Sequence, residues 1–125
     1  MIDYFVSTHA VRVTDDDGEH WVDIKPYLTL ADRGRYTDVV MHAGAGSDGQ
    51  SAFEIRLGQV TRTLLECAIV NWNLPDPDTN EVLKLGPHAL DRINLEAPLF
   101  GKVLEEIRQR NPTLSDLNGS AGSES

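Results

Sequence analysis

Gly58 to Trp72, GQVTRTLLECAIVNW, is the stretch on which the fold turns. Val60, Leu64, Cys67, Ala68 and Asn71/Trp72 recur at the three-and-four spacing of one helix face, which predicts a helix over Gly58–Trp72. Leu65, Ile69 and Val70 widen that face, so the helix is expected to pack on two sides. Its charged residues, Arg62 and Glu66, lie four apart on the wet edge. Trp72-Asn73-Leu74-Pro75-Asp76-Pro77-Asp78 follows, and its two prolines end any helix and force an extended, turning segment. The flanking segments are expected to fold onto this anchor.

Immediately upstream, Ala52–Leu57 alternates with Phe53, Ile55 and Leu57 on one face, which predicts a strand. Ala43 to Ser51 reads as a glycine-rich loop. The preceding helix is expected over Leu30–His42, with Thr29 as N-cap and Asp32 completing a capping-box-like start. Its inward positions are Leu30, Tyr36, Val39, Val40 and Ala43, and Gly34 weakens it by roughly 1 kcal/mol relative to alanine. Nearer the N-terminus, His9–Thr14 and Glu19–Lys25 alternate around Asp15-Asp16-Asp17-Gly18, the pattern of a β-hairpin, with Ala10 or Val11 to the core.

Downstream, Glu81–Leu85 reads as a short strand or an extended segment. Pro87 suits the first turn of a short helix through Arg92-Ile93. Ala97–Gln109 carries Leu99, Phe100, Val103, Leu104 and Ile107 on one face and is stopped by Asn111-Pro112. The fold class is therefore α+β: an N-terminal β-hairpin plus one further strand, packed with three to four helices. Residues 1–112 form a single domain and 113–125 a disordered tail, because from Ser115 the chain is rich in Gly, Ser, Asp and Asn.

A chain of 125 residues with 40% hydrophobic and 25% charged residues has the composition of an ordinary globular domain. Its net charge of −9 argues against nucleic acid and anionic membrane surfaces as partners. The single cysteine, Cys67, rules out an internal disulfide and fits a reducing compartment. No apolar run approaches the roughly 20 residues of a membrane span. With no secretory leader in Ile2–Val6, the expected location is the cytoplasm.

Several motifs invite a chemical reading. Gly44-Ala45-Gly46-Ser47-Asp48-Gly49 matches Gly-x-Gly-x-x-Gly, but that chemistry needs a strand before the loop and a helix opening from it. Here a helix precedes and a strand is expected to follow, and Asp48 would repel a pyrophosphate. Asp15-Asp16-Asp17-Gly18-Glu19-His20 has the look of a cation site, yet placing Gly18 sixth in an EF-hand puts Val13 first, and the register fails. The four histidines lack the spacing of a helical zinc site. Cys67 lies on the apolar side of the anchor helix, as a structural thiol does. Asp76 and Asp78 read as turn initiators. Asn118-Gly119-Ser120 is formally a glycosylation sequon. No catalytic, cofactor or metal site is expected, and the chain reads as a non-enzyme. Trp72, Leu99, Phe100 and Val103 are the candidate partner interface, since aromatic and apolar anchors dominate interface energetics. The alternative is that they fill the core.

Over Ala52 to Asn111 the chain resembles the small tail assembly chaperones of long-tailed (siphovirus-type) bacteriophages. The resemblance is carried by the apolar helix ending in tryptophan, Leu64 to Trp72, and by Trp72-Asn73-Leu74-Pro75-Asp76. It continues through the return Val82-Leu83-Lys84-Leu85, a short helix with Leu90 and Ile93, and an amphipathic helix through Leu99, Val103, Leu104 and Ile107. The opening hairpin into a Thr-initiated helix is similar too. Where a simple acid-glycine turn is expected, this chain has the longer Pro75–Asn80 loop. The resemblance implies a role in the host cytoplasm, keeping the tape measure protein soluble while the tail tube polymerises. It also implies that a frameshifted longer form exists in many relatives. The alternatives are a permanent virion component (tail tube, tail terminator or head–tail connector), in which strands would assemble a homo-oligomeric ring, and a nucleotide-binding enzyme resting on the glycine loop.

Overall fold

The computed structural model describes residues 4–43 and 50–114. Strands β1 (Val11–Thr14) and β2 (Trp21–Ile24) pair antiparallel, with Val11 opposite Ile24 and Thr14 opposite Trp21. The turn between them closes through the Asp15 N–H to the His20 carbonyl at 2.8 Å and the Gly18 N–H to the Asp15 carbonyl at 2.9 Å. Gly18 sits at φ 74°, where a side chain would be strained. The hairpin is thus the one expected from the sequence, with shorter strands. Val22 and Ile24 point into the core, while Arg12, Trp21 and Asp23 share the opposite face.

Helix α1 (Leu30–Ala43) begins as its capping signal predicts. The Thr29 hydroxyl accepts the Asp32 N–H at 3.1 Å, and the Asp32 carboxylate accepts the Thr29 N–H at 3.0 Å. Lys25 Nζ donates to the same carboxylate at 2.7 Å. Tyr36 is buried, but Leu30 is 88% exposed, which corrects its expected inward position. The capping box turns Asp32 inward, and two residues of helix rotate a side chain by about 200°, so Leu30 faces water.

The larger correction concerns the third strand. Residues 52–57 lie inside a 19-residue helix, α2 (Gln50–Ala68), and the strand is β3 (Ile69–Trp72). The alternation of Phe53, Ile55 and Leu57 is too short to outweigh helix continuity, whereas the β-branched pair Ile69-Val70 ends the helix beside an unpaired β2 edge. β3 takes that edge antiparallel, with Ile24 opposite Ile69 and Val22 opposite Trp72, and the register shifts between Asp23 and Ile24. The sheet order is β1-β2-β3.

Helix α3 (Pro87–Asp91) buries Ala89 and Leu90. Helix α4 (Pro98–Arg110) opens on proline and buries Leu99, Phe100, Val103 and Ile107. It lies against β1 and β2, tied to the hairpin by Lys102 Nζ, which donates to the Thr14 carbonyl at 3.3 Å. The core joins the inner face of the sheet to Leu64, Leu65 and Cys67 of α2 and to α4. Full burial of an aliphatic side chain such as Leu64 or Val103 contributes about 1.5–3 kcal/mol. Leu114 is buried as well, its N–H donating to the Asn111 carbonyl at 3.0 Å. The architecture is α+β, a three-stranded antiparallel sheet with four helices among the described residues. The Gly44–Gly49 loop and the tail from Ser115 lie outside the described residues. Among those described, no helix is long and apolar enough to cross a membrane.

Candidate functional site

Trp72 closes β3, and the segment after it is fixed by side chains. Asn73 Oδ1 accepts the Trp21 N–H and Asn73 Nδ2 donates to the Glu19 carbonyl, both at 2.8 Å, which pins the chain to the start of β2. The chain then doubles back. Pro75 bridges Val82, and the Leu83 N–H reaches the Leu74 carbonyl at 2.9 Å. Trp72 Nε1–H donates to the Leu83 carbonyl at 2.6 Å, so the indole is held from both ends of this loop. Glu81–Leu85 is accordingly an extended segment carrying a single bridge.

Asp76 organises the turn. Its backbone N–H donates to the Glu81 carbonyl at 2.8 Å and its carbonyl accepts the Asn80 N–H at 2.7 Å. Its carboxylate receives both terminal nitrogens of Arg92, at 3.0 and 3.1 Å, and the Asp78 N–H at 2.9 Å. The Arg92 guanidinium, then the Asp78 amide, hold this carboxyl below its usual range. Asn80 adopts the left-handed conformation at φ 65°, which asparagine tolerates better than most residues.

Between this loop, α3 and the start of α4 lies an apolar cleft of about 210 Å³. Trp72 and Phe100 form its floor, Leu74, Leu83 and Ile93 its walls, and Pro75 and Pro77 part of its rim. Arg92 and Asn94 are its polar lining residues, and the Arg92 charge is already matched by Asp76 and Asp78. Such a volume suits one large side chain: a cavity of about 150 Å³ already admits benzene. Small-molecule sites are larger, typically about 300–1,000 Å³.

All four residues of the expected partner interface are buried. The structure brings Trp72 and Phe100 together beneath the cleft and leaves Leu99 and Val103 in the core behind it. Leu74, Leu83 and Ile93, which shape the opening, were not legible as a set, because three separate segments supply them. The signal available was the pair of prolines flanking Asp76, which hold apolar residues at the surface.

Asp15, Asp17 and His20 bring donor atoms within 4.8 Å of one another. The Asp17 carboxylate, however, already accepts the N–H groups of Glu19 and His20, at 2.8 and 3.0 Å, and meets the His20 ring. These bonds take three of the carboxylate's roughly four acceptor sites, so the cluster is already satisfied by the turn itself. Cys67 is buried, its thiol 3.8 Å from the Asp32 carbonyl, and burial pushes its pKa up. The glycine motif lies outside the described residues. It is preceded by α1, as expected, and followed by α2 where a strand was expected.

Comparison with known proteins returns no match. No family model, curated protein or solved structure corresponds to the chain. The cleft itself offers apolar walls and a neutralised cation, Arg92.

Proposed function

We propose that the protein is a non-enzymatic binding module that masks apolar faces of a helical client, acting as a tail assembly chaperone for a phage tape measure protein in the host cytoplasm. The supporting observation is the side-chain-sized cleft over Trp72 and Phe100, opening at the surface of an acidic chain. An apolar recess takes up client side chains that would otherwise drive aggregation, and the net charge of −9 keeps the pair in solution. The sequence resemblance supports the same role.

Co-expression tests this. The chain should raise the soluble yield of the tape measure protein and co-purify with it in several copies. The complex should survive moderate salt, since its contacts are apolar.

A second reading, a permanent virion component, draws on the exposed Tyr4 and Phe5 ahead of the outer strand β1. An arm of this kind suits contact between copies in a ring. Mass spectrometry of finished particles separates the two readings, because a chaperone departs before maturation. Many copies in the mature particle would retire the chaperone.

A further inference from the structure

The cleft over Trp72 has a neighbour. A second cavity, of about 200 Å³, lies between α2 and α3, where Leu65, Leu90, Ile93 and Leu95 line it beside the Arg62–Asp91 ion pair. Ile93 lines both cavities, so one half-buried side chain is the wall between two side-chain-sized hollows. Leu95, at the edge of the second, is 51% exposed.

Two such hollows on either side of one wall fit two apolar side chains of one segment. A helix supplies them at three- or four-residue spacing, with Cβ atoms about 5–6 Å apart, and can seat both without bending. The surroundings set the charge of that helix. Arg62 is matched by Asp91 and Glu66, and Arg92 by Asp76 and Asp78. Asp78 remains 83% exposed. Glu81 and Glu96 flank the lining residues Leu83 and Leu95 and, among the described residues, form no ion pair. Lys84, beside Leu83, adds a third cation, but around the groove the carboxylates of Glu66, Asp76, Asp78, Glu81, Asp91 and Glu96 outnumber Arg62, Lys84 and Arg92 by six to three.

We propose that the two hollows form one groove that binds a basic amphipathic helix of another protein, seating one apolar side chain on each side of Ile93. This rests on the reading of the chain as a binding module and specifies what it binds. A second copy of this chain is a poor occupant, because it would bring a charge of −9 against −9.

The probe is a fluorescein-labelled helical peptide of leucine and lysine, its leucines three and four apart, followed by anisotropy. A leucine–glutamate peptide of the same pattern is the charge control. Pro77→Asp alters the first hollow and Leu95→Asp the second, while Leu30→Asp adds the same charge at an exposed site remote from both. The leucine–lysine peptide should bind the full chain, and each groove variant should weaken it at least about tenfold, as loss of an interface anchor does. That loss would occur although each variant makes the protein more acidic, which a merely electrostatic attraction would reward. Leu30→Asp should leave affinity within about twofold, as changes outside an interface do.

Equal weakening by Leu30→Asp, unchanged binding in Leu95→Asp, or equal binding of the leucine–glutamate peptide would overturn the proposal. If Pro77→Asp lowers the urea midpoint, Leu95→Asp decides alone. A dimer in sedimentation that Leu95→Asp dissociates would assign the groove to a second copy and also overturn it. Peptide binding without any gain in tape measure solubility would keep the groove and remove the chaperone reading. Client solubilisation unimpaired by Pro77→Asp and Leu95→Asp would do the reverse.

Discussion

The side-chain oxygen of Asn111 accepts the backbone N–H of Leu28 at 2.9 Å, joining residues 83 apart in the sequence. The same amide donates to the Ile107 carbonyl at 2.8 Å, and Asn111 is almost wholly buried. One side chain thereby ends α4 and fixes the link between β2 and α1.

Asn111→Ala removes this acceptor and leaves a buried N–H unpaired. The expected loss is about 1–3 kcal/mol, read as a lower urea midpoint at unchanged slope. An unchanged midpoint would show that water replaces the amide at no cost.

The hairpin turn carries a pH signature. Asp17 accepts the Glu19 and His20 amides and the His20 ring, which lower its pKa to about 2 from 3.8. His20 is raised above 6.5, chiefly by its hydrogen bond to Asp17. The Asp17 contribution to stability is present above pH 3.8 and fades as pH falls through about 2. The His20 contribution is complete below pH 6.5 and fades as pH rises through its raised midpoint. The turn is therefore tightest between these limits. By NMR, His20 should titrate above 6.5, and Asp17→Asn should bring the midpoint down.

Burial governs Cys67. Its raised pKa and lack of exposure predict that a disulfide-exchange reagent modifies the thiol only when the domain opens, with the rate rising steeply in urea. Cys67→Ser should cost about 1–3 kcal/mol, because the hydroxyl would be poorly matched to its site. Rapid modification of the native protein would contradict this.

Phe100 serves the core before it serves any partner. Phe100→Ala should cost about 3–5 kcal/mol and Phe100→Asp should prevent folding. A well-folded Phe100→Asp domain by far-UV dichroism and thermal melting would show that the ring is dispensable to packing.

Gly18→Ala should destabilise by about 1–2 kcal/mol, since the turn holds φ at 74°. Thermal melting measures this, and Gly34→Ala is the contrasting case: both sites leave an added Cβ in open space, but Gly34 is helical and lacks the positive φ.

Local signals predicted what local chemistry controls. The Asp15–Gly18 turn, the Thr29–Asp32 box and the apolar stripe of α4 were legible because each is settled within a few residues. The third strand was misplaced because its position depends on a partner, the free edge of β2, which no window of sequence contains. Ile69-Val70 held the clue as a β-branched pair, masked by a helical spacing that runs through it. The cleft was half legible. Trp72 and Phe100 stood out as large aromatics, but that they share one floor depends on the doubled-back loop anchored by Asp76 and Arg92, 16 residues apart.

β3 starts at the residue after α2 ends, with no connector between Ala68 and Ile69. The register shift between Asp23 and Ile24 already leaves Val70 as an extra residue of β3, so a second inserted residue would have no partner there. It would either turn the helix by about 100° or slip the strand by one place and carry Trp72 to the opposite face of the sheet. Substitutions within Gly58–Trp72 can be compensated by their neighbours, but a change in length cannot. This stretch should therefore act as a fixed ruler in any descendant of the chain, while gains and losses of residues collect in loops such as Pro77–Asn80.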